Sequence, residues 1–243
     1  MALLGRRQIT LVKVDSAQND MRYYSATYVD PLGAEDIRFS NDGTLLRTQI
    51  RGAAFAGTGF DSMELGETTP PSTAKKFRSS LGCLCDCTVT VVIPLPVVIE
   101  NTHTVEGQLH VKLELGPPRL SDDGKDRGLE SGMLQLNLTF GDRQVASGRS
   151  NSDFEAALDD IHRALPSGTF LKACYKCLYS DYSVSGHGLF GAMLCFRNIK
   201  DQYLSAKNKD EFLSIQTLFE RQVQETYVCE DFRLRVAGTG YRG

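Results

Sequence analysis

Apolar and polar residues alternate along much of the first 150 positions. Leu109, Val111, Leu113 and Leu115 alternate with Gln108, His110, Lys112 and Glu114. Leu134, Leu136, Leu138 and Phe140 alternate with Gln135, Asn137 and Thr139 in the same way. Successive side chains of a strand point to opposite faces, so each run predicts a strand with one buried face. Residues 11–14 and 22–29 are shorter runs rich in β-branched and tyrosine side chains, and residues 89–99 are the most apolar stretch. Asp42-Gly43 lies between two apolar-bearing runs and predicts a hairpin, because glycine takes positive φ without steric cost. Gly141-Asp142 turns the chain into residues 143–147. Residues 66–73 and the polar stretch 116–132 are expected to be loops, the second of them mobile. The pattern predicts an antiparallel β-sandwich or open barrel over residues 1–150.

At Ser152 the period changes to that of a helix. Ser152, Asp153, Phe154 and Glu155 form a capping box, with Ser152 as the expected cap. Phe154, Leu158, Ile161 and Leu165 follow at helical spacing until Pro166 and Gly168 stop the helix. A second helix is predicted over residues 209–225, capped by Asn208, with Phe212, Ile215, Phe219 and Val223 as its apolar stripe. The expected fold is therefore α+β. A β-rich domain over residues 1–150 precedes a small α/β unit over residues 151–243, and the latter carries the cysteines discussed below.

Composition narrows the class. Of 243 residues, 41% are apolar and 23% charged, enough apolar surface to offset the entropy of folding. The 27 basic and 30 acidic side chains leave a net charge of −3, without the basic footprint of a nucleic-acid binder. Ala2 to Leu4 is too short for the core of a signal peptide. Residues 89–99 are broken by Pro94 and Pro96 and fall short of the roughly 20 apolar residues that span a bilayer. A soluble cytoplasmic protein, off the membrane, is expected. Seven cysteines, an odd number, suit a reducing compartment better than a disulfide framework.

Cys174 and Cys177 form a C-x-x-C pair, and Cys195 and Cys229 follow singly. Four thiolates from separate segments can close a tetrahedral zinc site, and the pair lets one turn supply two ligands. The competing reading is a set of inert buried thiols, since free cysteine is among the most buried residue types. A thioredoxin-like redox pair would need a helix after Cys177, and residues 178–186 lack helical pattern. Cys83, Cys85 and Cys87 recur at period two and are read as small buried hydrophobes on one face of a strand.

A resemblance emerges from these residues. Cys174-Tyr-Lys-Cys177, Ser180-Asp181-Tyr182-Ser183, Gly188-Leu189-Phe190-Gly191, Cys195-Phe196-Arg197, Val223 to Cys229, and the final Gly238-Thr-Gly-Tyr-Arg-Gly243 together resemble a bacterial family catalogued only as a domain of unknown function. The likeness is best over the last 75 or so residues and looser over the β-rich part. It implies a bacterial cytosolic protein with the four cysteines in its signature, and it implies no activity. By analogy of class, small cytosolic proteins of this kind include immunity partners of toxins.

Catalytic constellations are sparse. Cys195 with His187 and Asp181 could form a thiol triad, although closeness in sequence does not establish geometry. Gly186, Gly188 and Gly191 fit the spacing of a dinucleotide loop but open no helix after a strand. Asp159-Asp160 reads as a solvated helix patch. The tail from Phe232 carries Arg233, Arg235 and Arg242 among glycines. It either packs back near Cys229, the preferred reading, or offers a cationic surface. The expected function is a non-enzymatic module that binds another protein and is stabilised by a structural zinc on Cys174, Cys177, Cys195 and Cys229, in an immunity or accessory role, with no catalytic residues. The alternative is a cysteine-dependent enzyme using Cys195 and His187.

Overall fold

The computed structural model describes residues 21–148, 153–184, 190 and 193–241. Residues 11–14, Ser152 and His187, with the glycines at 186, 188 and 191, lie outside the described residues. The chain is α+β, dominated by one long antiparallel sheet that does not close on itself.

Four strands form two successive hairpins: β1 (Arg22–Asp30), β2 (Gly33–Asn41), β3 (Leu46–Ile50) and β4 (Ala53–Gly57). Three short strands follow, β5 (Glu64–Leu65), β6 (Ser79–Ser80) and β7 (Cys83–Leu84), with the one-turn helix α1 (Pro71–Ala74) between the first two. The long hairpin of β8 (Cys87–Ile99) and β9 (His103–Leu115) comes next. A small separate hairpin, β10 (Pro118–Leu120) and β11 (Asp126–Leu129), leads into β12 (Gly132–Phe140) and β13 (Arg143–Ala146). The strand order is β13-β12-β9-β8-β1-β2-β3-β4-β5-β7-β6, and β14 (Phe170–Leu171) adds beside β8.

Both alternating runs are strands with the expected face buried. Leu109, Val111 and Leu113 lie directly opposite Leu138, Leu136 and Leu134 across the β9–β12 pair, Leu115 lies opposite Gly132 and Phe140 opposite Gly107, and all of these apolar side chains are buried. Their outward neighbours are polar, so the core lies on one side of the sheet. The predicted hairpin at Asp42-Gly43 is also present. The Asp42 carboxylate accepts the backbone N–H of Thr44 at 3.0 Å and of Leu45 at 2.7 Å, and Gly43 has φ +90°. Two further hairpin turns, Arg51-Gly52 and Leu81-Gly82, put both residues at positive φ. That is the twist a two-residue hairpin needs.

Helix α2 (Phe154–Ala164) packs its buried residues Phe154, Ala157, Leu158 and Ile161 into the core of the sheet, mainly over β12. Its cap is Asp153, whose carboxylate accepts the Ala156 N–H at 2.7 Å, one position beyond the cap read from the sequence. Leu165 is extended and Pro166 ends the helix as expected.

Three expectations change. Residues 116–132 contain the β10–β11 hairpin, pinned where the Asp126 carboxylate accepts the Ser80 hydroxyl at 2.8 Å and the Leu81 N–H at 2.7 Å. Cys83, Cys85 and Cys87 do not share one strand. Asp86 has φ +54°, and the chain bends there between β7 and β8. The helix expected over 209–225 is α4 (Lys209–Ile215), preceded by the unforeseen α3 (Lys200–Ser205). Beyond a single 3-10 turn the chain becomes β17 (Arg221–Val223). Val223, at helical spacing from Phe219, is buried on that strand, where ladder pairing replaces helical bonds.

One hydrophobic cluster runs from Tyr24 in β1 to Val223 in β17 and includes Cys174 and Cys195. A smaller one, Leu194, Phe196, Tyr203 and Phe212, is covered by Tyr241 of the tail, whose ring stacks on Phe212 at 4.8 Å.

Candidate metal centre

A second small sheet organises the cysteines. Its strands are β15 (Ser180–Tyr182), β16 (Met193–Cys195) and β17, in that order. Ser180, Cys195 and Arg221 are direct register partners across the three strands, so their side chains share one face.

Cys174 opens a 3-10 turn, Cys174–Lys176, and Cys177 closes it by donating its N–H to the Cys174 carbonyl at 3.0 Å. The Ser180 hydroxyl donates to the carbonyls of Cys174 and Cys177, which fixes the turn against β15. The later segments are drawn in by backbone bonds. Cys174 N–H donates to the Tyr227 carbonyl at 2.8 Å and Tyr175 N–H to the Glu225 carbonyl at 2.9 Å, which brings the stretch before Cys229 alongside. Cys177 forms a β-bridge with Leu234. Glu220 N–H donates to the Cys195 carbonyl at 2.8 Å.

Two of the sulfurs accept hydrogen bonds. The Cys229 sulfur takes the Asp231 N–H at 3.3 Å and an Arg197 guanidinium N–H at 3.8 Å. Cys195 takes the backbone N–H of Arg197, also two residues on. Burial, then the neighbouring Cys177, Cys195 and Cys229 thiols, push the Cys174 thiol well above the usual thiol range; Arg221 pulls the other way. Burial likewise pushes the Cys195 thiol up, against the Arg197 N–H and guanidinium. The other three cysteines thus act on Cys174 in the same direction as its burial. Among the described residues, however, no group of three or more His, Cys, Asp or Glu side chains stands in metal-holding geometry, and all seven cysteines are free thiols. The donor types are those zinc takes, four soft sulfurs of which three are buried, but their arrangement is not one that holds a metal.

Other sequence candidates fall elsewhere. Asp181 alternates with Ser180 and so stands on the face of β15 opposite Cys195. Its carboxylate accepts the Tyr203 hydroxyl at 3.0 Å and the Tyr182 N–H at 2.8 Å. Asp159 accepts the Tyr175 hydroxyl. The tail packs back. Leu178 N–H donates to Arg233, and the Arg235 guanidinium donates to the Cys177 carbonyl at 2.9 Å, to the Ser180 carbonyl and to the Tyr203 hydroxyl at 3.2 Å. Cys87 is pushed up to about 12, chiefly by burial, and Cys83 and Cys85 are raised for the same first reason.

Sequence reasoning missed the residues that tie this unit to the large sheet. Gln224, Glu225 and Thr226 are all buried. Asn41 donates to the Gln224 side-chain oxygen at 2.6 Å and to the Tyr24 hydroxyl at 2.8 Å, and Tyr182 donates to Glu225 at 3.2 Å. A run of three polar residues carries no periodic signal, and at helical spacing it reads as a solvated face. On the outward face of β8, β1, β2, β3 and β4 lies an open groove of about 1200 Å³. Ser25, Thr27, Asp36, Arg38, Arg47 and Gln49 are among its lining residues.

Among the described residues no helix is long and apolar enough to cross a membrane. No curated protein and no solved structure matches the chain at a significant level. The sequence profile of DUF6304, a family of unknown function, matches residues 22–180, and the chain belongs to that family. The match takes in the large sheet, α2 and the Cys174–Cys177 turn. The later motifs that carried the resemblance, from Gly188 onward, lie beyond the matched residues.

Proposed function

We propose, for this member of the DUF6304 family, a non-enzymatic protein-binding role in the cytoplasm, with a structural zinc on Cys174, Cys177, Cys195 and Cys229. One observation carries the reading: backbone contacts bring the stretch before Cys229 and the tail alongside the C-x-x-C turn, through Cys174 N–H to the Tyr227 carbonyl, Tyr175 N–H to the Glu225 carbonyl and the Cys177–Leu234 bridge. Unbridged and unmetallated, the four thiols add little to a unit of short strands and one-turn helices. Joined by a metal, they lock those segments together, and the binding energy of the metal becomes folding energy. The broad groove on the sheet suits a macromolecular surface, since it is open and sets Glu35, Asp36, Arg38 and Arg47 among uncharged polar and apolar side chains. An immunity or accessory role falls within this class.

Burial of Cys195 weighs against the thiol-enzyme alternative, because a nucleophilic cysteine needs a lowered pKa and access. Protein purified without chelators should contain about one zinc per chain, and Cys177→Ser should lose both the metal and the stability of the C-terminal unit. Less than half an equivalent of any metal overturns the zinc reading. Stoichiometric labelling of Cys195 by a thiol probe in native protein, abolished by His187→Ala, would favour the enzyme instead.

A further inference from the structure

We propose that the outward face of the sheet carries a two-part peptide site: a cleft beside Tyr23 takes a bulky apolar side chain, and Arg38 takes a carboxylate about three residues away in an extended segment. The inference rests on the protein-binding reading above and gives the partner its chemistry.

The cleft follows from two prolines. β8 pairs with β1 from Thr88 to Val92 and with β14 at Val97 and Val98. The Pro96 carbonyl accepts the Lys172 N–H at 2.9 Å, so the even-numbered residues of β8 turn their backbone groups to this edge. Pro94 and Pro96 have no N–H to offer there, which stops the ladder. Arg22, Tyr23 and Tyr24 stay paired with β2 alone. Between them and β8 lies a cleft of about 500 Å³, walled by Tyr23, Tyr24, Pro94, Leu95, Val105 and Val228. Its size and apolar walls suit a ligand's apolar group. The Arg22 guanidinium donates to the Val228 carbonyl at 2.8 Å and so holds the far wall.

Tyr23 lines both this cleft and the groove described above, and it is 52% exposed. The Arg38 guanidinium lies over its ring at 4.1 Å. The other groove charges are engaged. Asp36 accepts the Thr27 hydroxyl at 3.0 Å, Arg47 pairs with Asp42 at 3.0 Å, and Glu35 accepts the Arg51 N–H at 3.0 Å. Among the described residues Arg38 has no acidic partner. An exposed aromatic ring, a guanidinium without a counter-ion and an adjacent apolar cleft are the parts of a binding hot spot. Glu106 lines the cleft, so an incoming acid is favoured on the Arg38 side only. Pro94 and Arg38 stand two strands apart, about 10 Å, which an extended peptide covers in about three residues.

A phage library of random dodecapeptides is selected against the full chain. Enriched peptides are then measured by fluorescence anisotropy on wild type, Tyr23→Ala and Arg38→Gln, with thermal unfolding of each variant as the folding control. The peptides should share an Asp or Glu about three positions from a Leu, Phe, Trp or Pro. Tyr23→Ala should weaken binding about 10-fold and Arg38→Gln about 3-fold. Neutralising the peptide's acid should cost affinity on wild type and nothing on Arg38→Gln, because the two changes remove one interaction. Equal binding by wild type and Tyr23→Ala overturns this site and leaves protein binding standing. So does a peptide acid whose loss costs as much on Arg38→Gln as on wild type. A library that enriches nothing removes the support for protein binding and overturns the inference with it.

Discussion

Arg235 sits where the tail crosses the C-x-x-C turn, and its guanidinium satisfies two carbonyls and the Tyr203 hydroxyl. Replacing it by Met leaves those acceptors without their donor in a partly buried place. A loss of about 1–3 kcal/mol is expected in equilibrium denaturation. Removing residues 233–243 should do more and unfold the C-terminal unit, since the Leu178, Cys177 and Lys176 backbone bonds go too. Asp30 gives a pH signature. Its carboxylate is held below the usual range first by hydrogen bonds from Arg51, at 2.6 and 2.7 Å. A depressed folded pKa contributes stability that is present above the unfolded value, near 3.9, and is lost as pH falls through the folded value. Asp30→Asn should therefore lower stability at neutral pH and flatten the acid limb of the stability–pH curve. Parallel curves for the two proteins below pH 5 would contradict this.

At the scale of elements, the β2–β3 hairpin is also a docking device. Thr44 donates to the Gln222 carbonyl at 3.2 Å, and the Tyr227 ring lies against Gly43. A Cβ at position 43 would meet that ring at 2.7 Å, at a φ unsuited to other residues. Gly43→Ala should cost on the order of 1–3 kcal/mol and loosen the C-terminal unit, seen as faster amide exchange in residues 221–228. The sequence announced this hairpin because Asp-Gly states its turn chemistry outright. It announced β9 and β12 because one-sided burial imposes a period of two. It hid the turns at Arg51-Gly52 and Leu81-Gly82, which lack an Asx residue. It also hid the switch from α4 to β17, where Phe212, Ile215, Phe219 and Val223 fit a helix although the last is a strand residue. Short elements held by tertiary contacts leave little local pattern. The cysteines were legible as a set and the tail of Arg235 as one that packs back, whereas the places of Arg197 and Arg221 were not, because they depend on register and packing across distant segments.

For the molecule as a whole, the sheet and the cysteine unit share one hydrophobic cluster, and a polar seam of Tyr24, Asn41 and Gln224 runs across their contact. If the zinc proposal holds, metal removal should be felt beyond the cysteines, with the 221–228 segment loosening against the hairpin before the β8–β9–β12 core opens. The central claim is that Cys174, Cys177, Cys195 and Cys229 hold one zinc as four sulfur ligands. X-ray absorption at the zinc edge on protein purified without chelators tests it most directly. The account predicts about one zinc per chain in a shell of four sulfurs near 2.3 Å. A shell of nitrogen and oxygen alone, or a sample without zinc, would contradict it.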